Sequence, residues 1–395
     1  MTVRAHAGQA ALATAAQLTQ GVIGLALLLV GHQTHLGVTV GGLAVSAFAI
    51  GMAVARPVQG RALDRHTAAP VLVGCGAAHG AAYLLIAVAA HRHWPALFAL
   101  AALFAGLTLP PIATQMRAAW PAGRSADAVS RVFAAITAVQ TVSVLLAPVL
   151  FTVVDAVATP TAAMLTVAGV SAGATIAFGL VCADVPTRAG QPARVGLSRY
   201  GPLLASTLLV GAVTGTLEVA APAIAIGAGH PGAAGPLVTA ATLGTLLGAL
   251  VAMRRPVPLR AALLVQLAGA TGLLVPAPLA LSAAALVVLG LGITPALAAL
   301  STALSHRAGG TAESFGWQST ALGLGVTAGS AAAGWLAAGS ARWSALPCLL
   351  AAALALGSAL RPGSGEVLVR DAQRGDGGEY GGDGARGEQR PVGAE

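Results

Sequence analysis

The sequence contains no lysine; all 21 of its basic residues are arginine. Charge of either sign is scarce, with charged residues at 9% of 395 positions and aromatics at 4%. A water-soluble globule of this size needs far more polar surface than that, so the class is excluded. Cys75, Cys182 and Cys348 are the only cysteines, and they lie inside or at the edge of apolar runs with no paired spacing. That excludes a disulfide framework and a cysteine-based zinc site, and it marks them as packing residues. No phosphate-binding loop flanks a strand pattern, no HExxH pair occurs and no nucleophile elbow is present. ATP-driven work and enzymatic catalysis therefore have no motif to rest on, and no cofactor or metal is expected.

What the chain has in abundance is apolar residues, at 56% of the total, with a mean hydropathy of +0.81. A bilayer is the solvent that suits such a composition. An α-helix rises about 1.5 Å per residue and the hydrocarbon core is about 30 Å thick, so a span takes about 20 apolar residues. Twelve runs meet that length, at 9–30, 38–55, 70–90, 96–115, 132–154, 161–183, 201–226, 233–253, 259–278, 280–304, 314–337 and 343–360. The first has no small-residue cleavage site and is followed by many others, which makes it a span and not a secretory signal. The fold expected is all-α and polytopic.

Arginine placement sets the orientation, because positively charged loops resist translocation. With the N-terminus in the cytosol, the cytosolic segments before the tail collect Arg4, Arg56, Arg61, Arg65, Arg117, Arg124, Arg131, Arg188, Arg194, Arg199, Arg254, Arg255, Arg260 and Arg307, and the other side keeps Arg92 and Arg342. This predicts a multi-pass protein of a bacterial cytoplasmic membrane with both termini cytosolic. The net charge of +8 is spread over short loops and forms no continuous stripe, so it predicts no nucleic-acid partner.

The longest polar break outside the tail follows the sixth run. It divides the chain into a six-helix bundle over 1–183, a cytosolic loop over 184–200 and a second six-helix bundle over 201–360. Residues 361–395 hold ten glycines, five arginines and seven acids. They have too little apolar surface to offset the entropy of ordering, which predicts a disordered cytosolic tail.

After the second run the chain reads RPVQGRALDRH, in which Gly60, Asp64 and Arg65 stand at the spacing glycine, three residues, acid, base. Further segments are PPIATQMRAAW, LLAPVL, GTLEVAAPA and TAESFGWQSTALGLGVTAGSAAAGW. With the six-plus-six plan, these segments resemble the major facilitator superfamily, in particular its bacterial drug- and metabolite-exporter-like members. The sequence departs from the family at Thr67, Ala68 and Ala69, where the loop pattern continues with glycine and basic residues. It departs again at the fourth span, which lacks the buried arginine of proton-driven exporters, and at Ala147 and Pro148, where antiporters carry a glycine-rich stretch ending in Gly-Pro. The resemblance implies two related halves that rock about a central cavity. It also implies that the loop holding Gly60, Asp64 and Arg65 latches the cytosolic side, with Glu313 at the start of the eleventh span as part of the gate. An anion such as Asp64 suits the N-terminus of that span, where amides lack partners, and Thr311 is placed to cap it.

Glu218 is the one carboxylate well inside a run. An ionisable group at that depth costs several kcal/mol unless paired, protonated or wetted by a cavity. It lies four residues before Pro222, which disturbs the helix and frees a carbonyl. Glu218 is therefore the leading candidate for proton or cation coupling, with an interfacial structural role as the alternative. His79 in the third span is a weaker candidate beside a plain packing role. Gln17, Gln20, Gln140 and Gln318 avoid lipid and so face the bundle interior. The resemblance puts their spans around the cavity, where they are candidates to touch solute.

The function expected is secondary transport by alternating access, with proton-coupled export of a small apolar or amphipathic compound. The partners are that solute, the lipid bilayer and a proton, and the chain is expected as a monomer. Uptake of a small solute without an obligatory proton, or a membrane scaffold or sensor that kept the fold, are the alternatives.

Overall fold

A computed structural model describes residues 3–121, 124–182, 200–307, 309–337 and 339–360. All but Tyr200 of the expected cytosolic loop over 184–200, and the expected disordered tail at 361–395, lie outside the described residues. Among the described residues the only regular structure is helical, and the α-helices in order are α1 (Val3–Ala16), α2 (Leu18–Gln33), α3 (Val38–Arg65), α4 (Ala68–His91), α5 (Pro95–Thr108), α6 (Ile112–Ala119), α7 (Ala126–Val157), α8 (Pro160–Val181), α9 (Gly201–Gly227), α10 (Ala234–Arg254), α11 (Leu259–Leu274), α12 (Leu279–Arg307), α13 (Ala312–Ala337) and α14 (Leu346–Leu360). Eleven helical segments are long and apolar enough to cross a membrane, and α11 is a shorter apolar helix in the ninth position. The twelve predicted runs are all present.

Two spans that the sequence reads as single helices are broken. The first divides at Gln17, where the amide turns back to the Thr14 carbonyl at 3.2 Å. The hydroxyls of Ser143 and Ser171 donate to Thr14 O at 2.9 Å and to Ala16 O at 2.6 Å. In a bilayer, backbone freed at a break is tolerated only where neighbouring helices satisfy it. The fourth span divides at Pro110 and Pro111, which supply no amide donors and clash with a continuing helix. The Gln59 amide donates to Leu107 O and Leu109 O at that break, both at 3.0 Å.

Helix α11 stops at Leu274, four residues before the predicted end of its span. Arg342 donates to Val275 O at 2.6 Å and to Ala277 O at 2.8 Å, covering carbonyls that a further helical turn would have used.

A repeat shows in how helices cross. The second and fourth spans meet at Gly51 and Gly106, where an added Cβ would lie 2.3 Å from Leu103 O and 2.1 Å from Phe48 O respectively. The eighth and tenth spans meet in the same manner at Gly244 and Gly290, with corresponding approaches of 2.2 Å to Val287 O and 2.3 Å to Ala241 O. Only residues without a side chain permit backbones this close. The third and ninth spans each send a buried polar group to the next span: His79 contacts Ala105 O at 3.0 Å, and Gln266 donates to Gly292 O at 3.0 Å.

Helices α1–α8 pack among themselves, as do α9–α14, and the two sets meet where α3 and α6 touch α13 and where α7 touches α10 and α12. The apolar core decides which end is closed. Buried residues of the first set at the arginine-rich end, including Leu63, Met116, Phe133 and Phe178, belong to one core with the second set. Buried residues of the first set toward the other end, including Leu27, Phe48, Phe98 and Phe151, form a separate cluster with no member from the second set. The halves are sealed together at the arginine-rich end.

Candidate functional site

The seal is built on the first turn of α13. Gly309 and Gly310 both adopt φ +67°, a left-handed turn that glycine enters without a Cβ penalty. The turn leaves the first amides of α13 facing α3, and Asp64 takes them. Its carboxylate accepts from Ala312 N at 2.7 Å and from Glu313 N at 2.8 Å. Thr311 adds a second cap, its hydroxyl accepting from Ser314 N at 3.3 Å. An anion at two unpartnered helix amides is favoured both by hydrogen bonding and by the helix dipole.

Beside this cap Arg61 forms a two-pronged pair with Glu313, Nε to Oε2 at 3.2 Å and Nη2 to Oε1 at 2.5 Å. The sequence assigned the basic partner to Arg65, which is exposed at the end of α3. Four residues, about one turn, separate the two along one face of α3: Arg61 lies level with Glu313, while Arg65 is the last residue of the helix and exposed. Gly60 explains the closeness: a Cβ there would lie 2.4 Å from Ala312 O. One turn deeper, Gly316 lies against the Arg56 carbonyl, with an added Cβ only 2.4 Å away.

Pro57 adds a contact that only a proline creates. It has no amide to donate to the Ala53 carbonyl, and the hydroxyl of Thr320 on α13 donates to that oxygen instead, at 2.9 Å. Phe133 of α7 meets Phe315 of α13 with ring centroids 5.6 Å apart.

Glu218 stands on α9 among buried neighbours, with Gly215 and Ala221 enclosed a turn to either side, yet it is itself exposed. Gly211 and Gly215 on the same face pack on Leu322 and Val326 of α13. Its carboxylate makes no hydrogen bond or ion pair with the described residues.

His79 is fully buried and both ring nitrogens are engaged, Nδ1 with Ala105 O at 3.0 Å and Nε2 with the Thr19 hydroxyl at 3.2 Å. Tyr83 sets its ring edge-on to the imidazole at 4.9 Å. These contacts tie α4 to α5 and α2.

The four glutamines do not converge on one point. Gln17 is buried at the break in the first span, donating to Ala13 O at 2.9 Å while its carbonyl oxygen has no partner. Gln20 is half-buried. Gln318 is buried and accepts from the Ser301 hydroxyl at 3.2 Å. Gln140 accepts from Arg117 Nη2 at 2.9 Å.

That last bond corrects the sequence reading of two arginines. Arg56 and Arg117 were assigned to cytosolic loops and counted in the orientation argument. Instead α3 runs on to Arg65 and α6 to Ala119, and the two residues are 6% and 4% exposed. Because α6 completes the fourth span, that span does hold a buried arginine, contrary to the sequence expectation that it lacks one. The drawn helix ends, 55 and 115, fell one and two residues short of them. The missed signal was apolar: Val58 and Leu63 continue the helical pattern past Pro57, and no turn residue follows Gln115 until Pro121.

A family description, Major Facilitator Superfamily, matches residues 10–317. No curated protein sequence matches the chain. Solved structures with the same fold include a bacterial homologue of the iron transporter ferroportin in an outward-facing state, at TM-score 0.70 and 13% identity over 93% of this chain and 98% of that one. The human organic anion transporter MFSD10 aligns at TM-score 0.67 and 15% identity, over 89% and 96%. The Escherichia coli fucose:proton symporter FucP aligns at TM-score 0.67 and 14% identity, over 90% and 98%.

Proposed function

Because this chain belongs to the major facilitator superfamily, we propose that it is a secondary transporter that exports a small amphipathic solute from a bacterial cell by alternating access, coupled to proton exchange at Glu218. The observation that carries the reading is the one-ended seal. Its parts are a helix cap by Asp64, an exposed ion pair between Arg61 and Glu313, one hydroxyl bond from Thr320 and glycine contacts at Gly60 and Gly316. Each is strong enough to hold and weak enough to release, since an exposed pair is weakened by solvent screening and a cap contributes about 1 kcal/mol. A scaffold has no use for a joint of that kind at one end and separate cores at the other.

The arginine-rich end faces the cytosol under the positive-inside rule, so the sealed state is open outward. Glu218 then faces water from outside, takes a proton there and releases it after the halves rock. Gln17 and Gln318, buried and polar within the bundle, remain the proposed solute contacts in the central region.

Spin-label distances test the cycle. One pair, Arg65→Cys with His306→Cys, reports the arginine-rich end; another, Val157→Cys with His230→Cys, reports the opposite end. The reading requires two populations in each pair that change in opposite senses, and that Glu218→Gln abolishes their dependence on pH. A single unchanging distribution at both ends eliminates alternating access. A pH response that survives Glu218→Gln eliminates Glu218 as the coupling group.

A further inference from the structure

Among the described residues Arg56 and Arg117 are the two buried cations, and neither is paired with a carboxylate there. Asp64 and Glu313 are committed to the latch. Asp155 is at the far end of α7, and Glu218 belongs to α9 in the other half. The two guanidinium groups are also within range of each other's charge. Burying one unpaired cation is costly, and burying two together adds their repulsion.

The surroundings hold spare donors and no spare anion. Arg117 uses Nη2 on Gln140 at 2.9 Å, while its Nε is buried with no partner. Thr114, three residues earlier on the same face of α6, has a buried hydroxyl with no partner. Buried polar atoms in folded proteins are nearly always satisfied, so two such donors beside buried cations that have no carboxylate partner mark a place where something is received. Guanidinium forks and hydroxyls fit an oxyanion, which accepts several charge-assisted bonds at once.

The depth suits a solute better than a surface ion. Arg56 lies eight residues inside Asp64, about 12 Å along α3, and Gln140 is 14 residues from the start of α7, about 21 Å along it. The Arg56 carbonyl touches Gly316 of α13, and α6 touches α13 as well, so the cluster adjoins the seam that opens when the latch releases.

We propose that Arg56 and Arg117 bind the oxyanion of the transported solute, a carboxylate or phosphate on a small organic molecule, and that the site loads from the side sealed in this state. This deepens the transporter reading and rests on it for the word transported; the binding itself is measured without transport. An anionic solute also suits export, because an inside-negative membrane potential drives it outward.

The test is thermal stabilisation and equilibrium binding of the full-length protein in detergent, with benzoate and phenyl phosphate as anionic probes and benzamide as the neutral isostere of benzoate. The wild type should gain stability with at least one anion and none with benzamide. Arg56→Gln and Arg117→Gln should each weaken anion binding at least tenfold, and Arg117→Lys should retain part of it. The same Gln variants should melt at or above the wild-type temperature without anion, because each removes an unpaired buried charge. A lower melting temperature for both variants, with anion binding intact, overturns the proposal and makes the arginines structural. Equal response to benzoate and benzamide also overturns it. A gain seen only in phosphatidylglycerol nanodiscs, lost in both Gln variants and absent with the probes, assigns the pair to a lipid headgroup and overturns the solute assignment. Binding that holds while spin labels show no rocking leaves the site standing and removes the transporter reading instead.

Discussion

The Asp64 carboxylate bridges the amides of Ala312 and Glu313, at 2.7 and 2.8 Å, and so a residue of the second span closes the first turn of the eleventh. Loss of a capping side chain costs about 0.5–2 kcal/mol. Asp64→Ala should therefore shift the balance between states toward the form open at the arginine-rich end by about two- to thirtyfold, and Asp64→Asn, with one acceptor oxygen, by less. Spin-label distances across the Arg65 and His306 pair measure the shift; no change with either variant would remove Asp64 from the gate.

Replacing Gly60 or Gly316 by valine should block sealing without unfolding either half. An added Cβ at these positions lies 2.4 Å from a backbone oxygen of the other half, and backbone cannot move aside as a side chain can. Both variants should fold, keep far-UV helicity and show the arginine-rich end open to impermeant thiol reagents in a cysteine background; retention of the sealed distance would contradict the packing.

Thr320→Val keeps the shape of the side chain and removes the donor to the carbonyl that Pro57 frees. A neutral hydrogen bond contributes about 0.5–1.5 kcal/mol, and an orphaned buried carbonyl adds to the loss. The expected result is a smaller shift in the same direction as Asp64→Ala. Because the two contacts share one interface, the double variant should depart from additivity.

His79→Leu should lower the melting temperature and leave the pH response of the spin-label distances in place. Both imidazole nitrogens are bonded within the first half, and removing them leaves Ala105 O and the Thr19 hydroxyl short of partners, at about 1–3 kcal/mol. A variant that folds normally but has lost its pH response would return His79 to the proton path.

Cys182 is buried at the inner end of α8, 4% exposed. Structural buried cysteines are inert because reagents cannot reach them, so maleimide labelling of the native protein at pH 7 should be negligible at Cys182. Mass spectrometry of the labelled protein reads this directly, and substantial modification there would mean the inner end of α8 opens more than the packing allows.

Much of the fold was legible in one dimension because a bilayer imposes a simple rule: backbone polar groups must be satisfied within the span, so each crossing is a run of apolar residues about 30 Å long. The runs, the glycine patterns and the acid at the foot of the eleventh span follow from that rule and from helix-end chemistry. The break at Gln17 was not legible, because its freed carbonyls are satisfied by Ser143 and Ser171, far away in the chain. The choice of Arg61 over Arg65 was not legible either, since the two share one face of α3 and only the height at which α13 begins against that face separates them.

The sequence alone determined that this chain lives in a membrane, how often it crosses and which end carries the positive charge, for those depend on composition and spacing. The tertiary structure alone decided that Arg56 and Arg117 are buried in the bundle and not laid out on its surface. A charge count treats every arginine near a span end alike. Where a helix stops, and which of its faces meets a neighbour, settles whether that charge anchors a loop or is buried between helices.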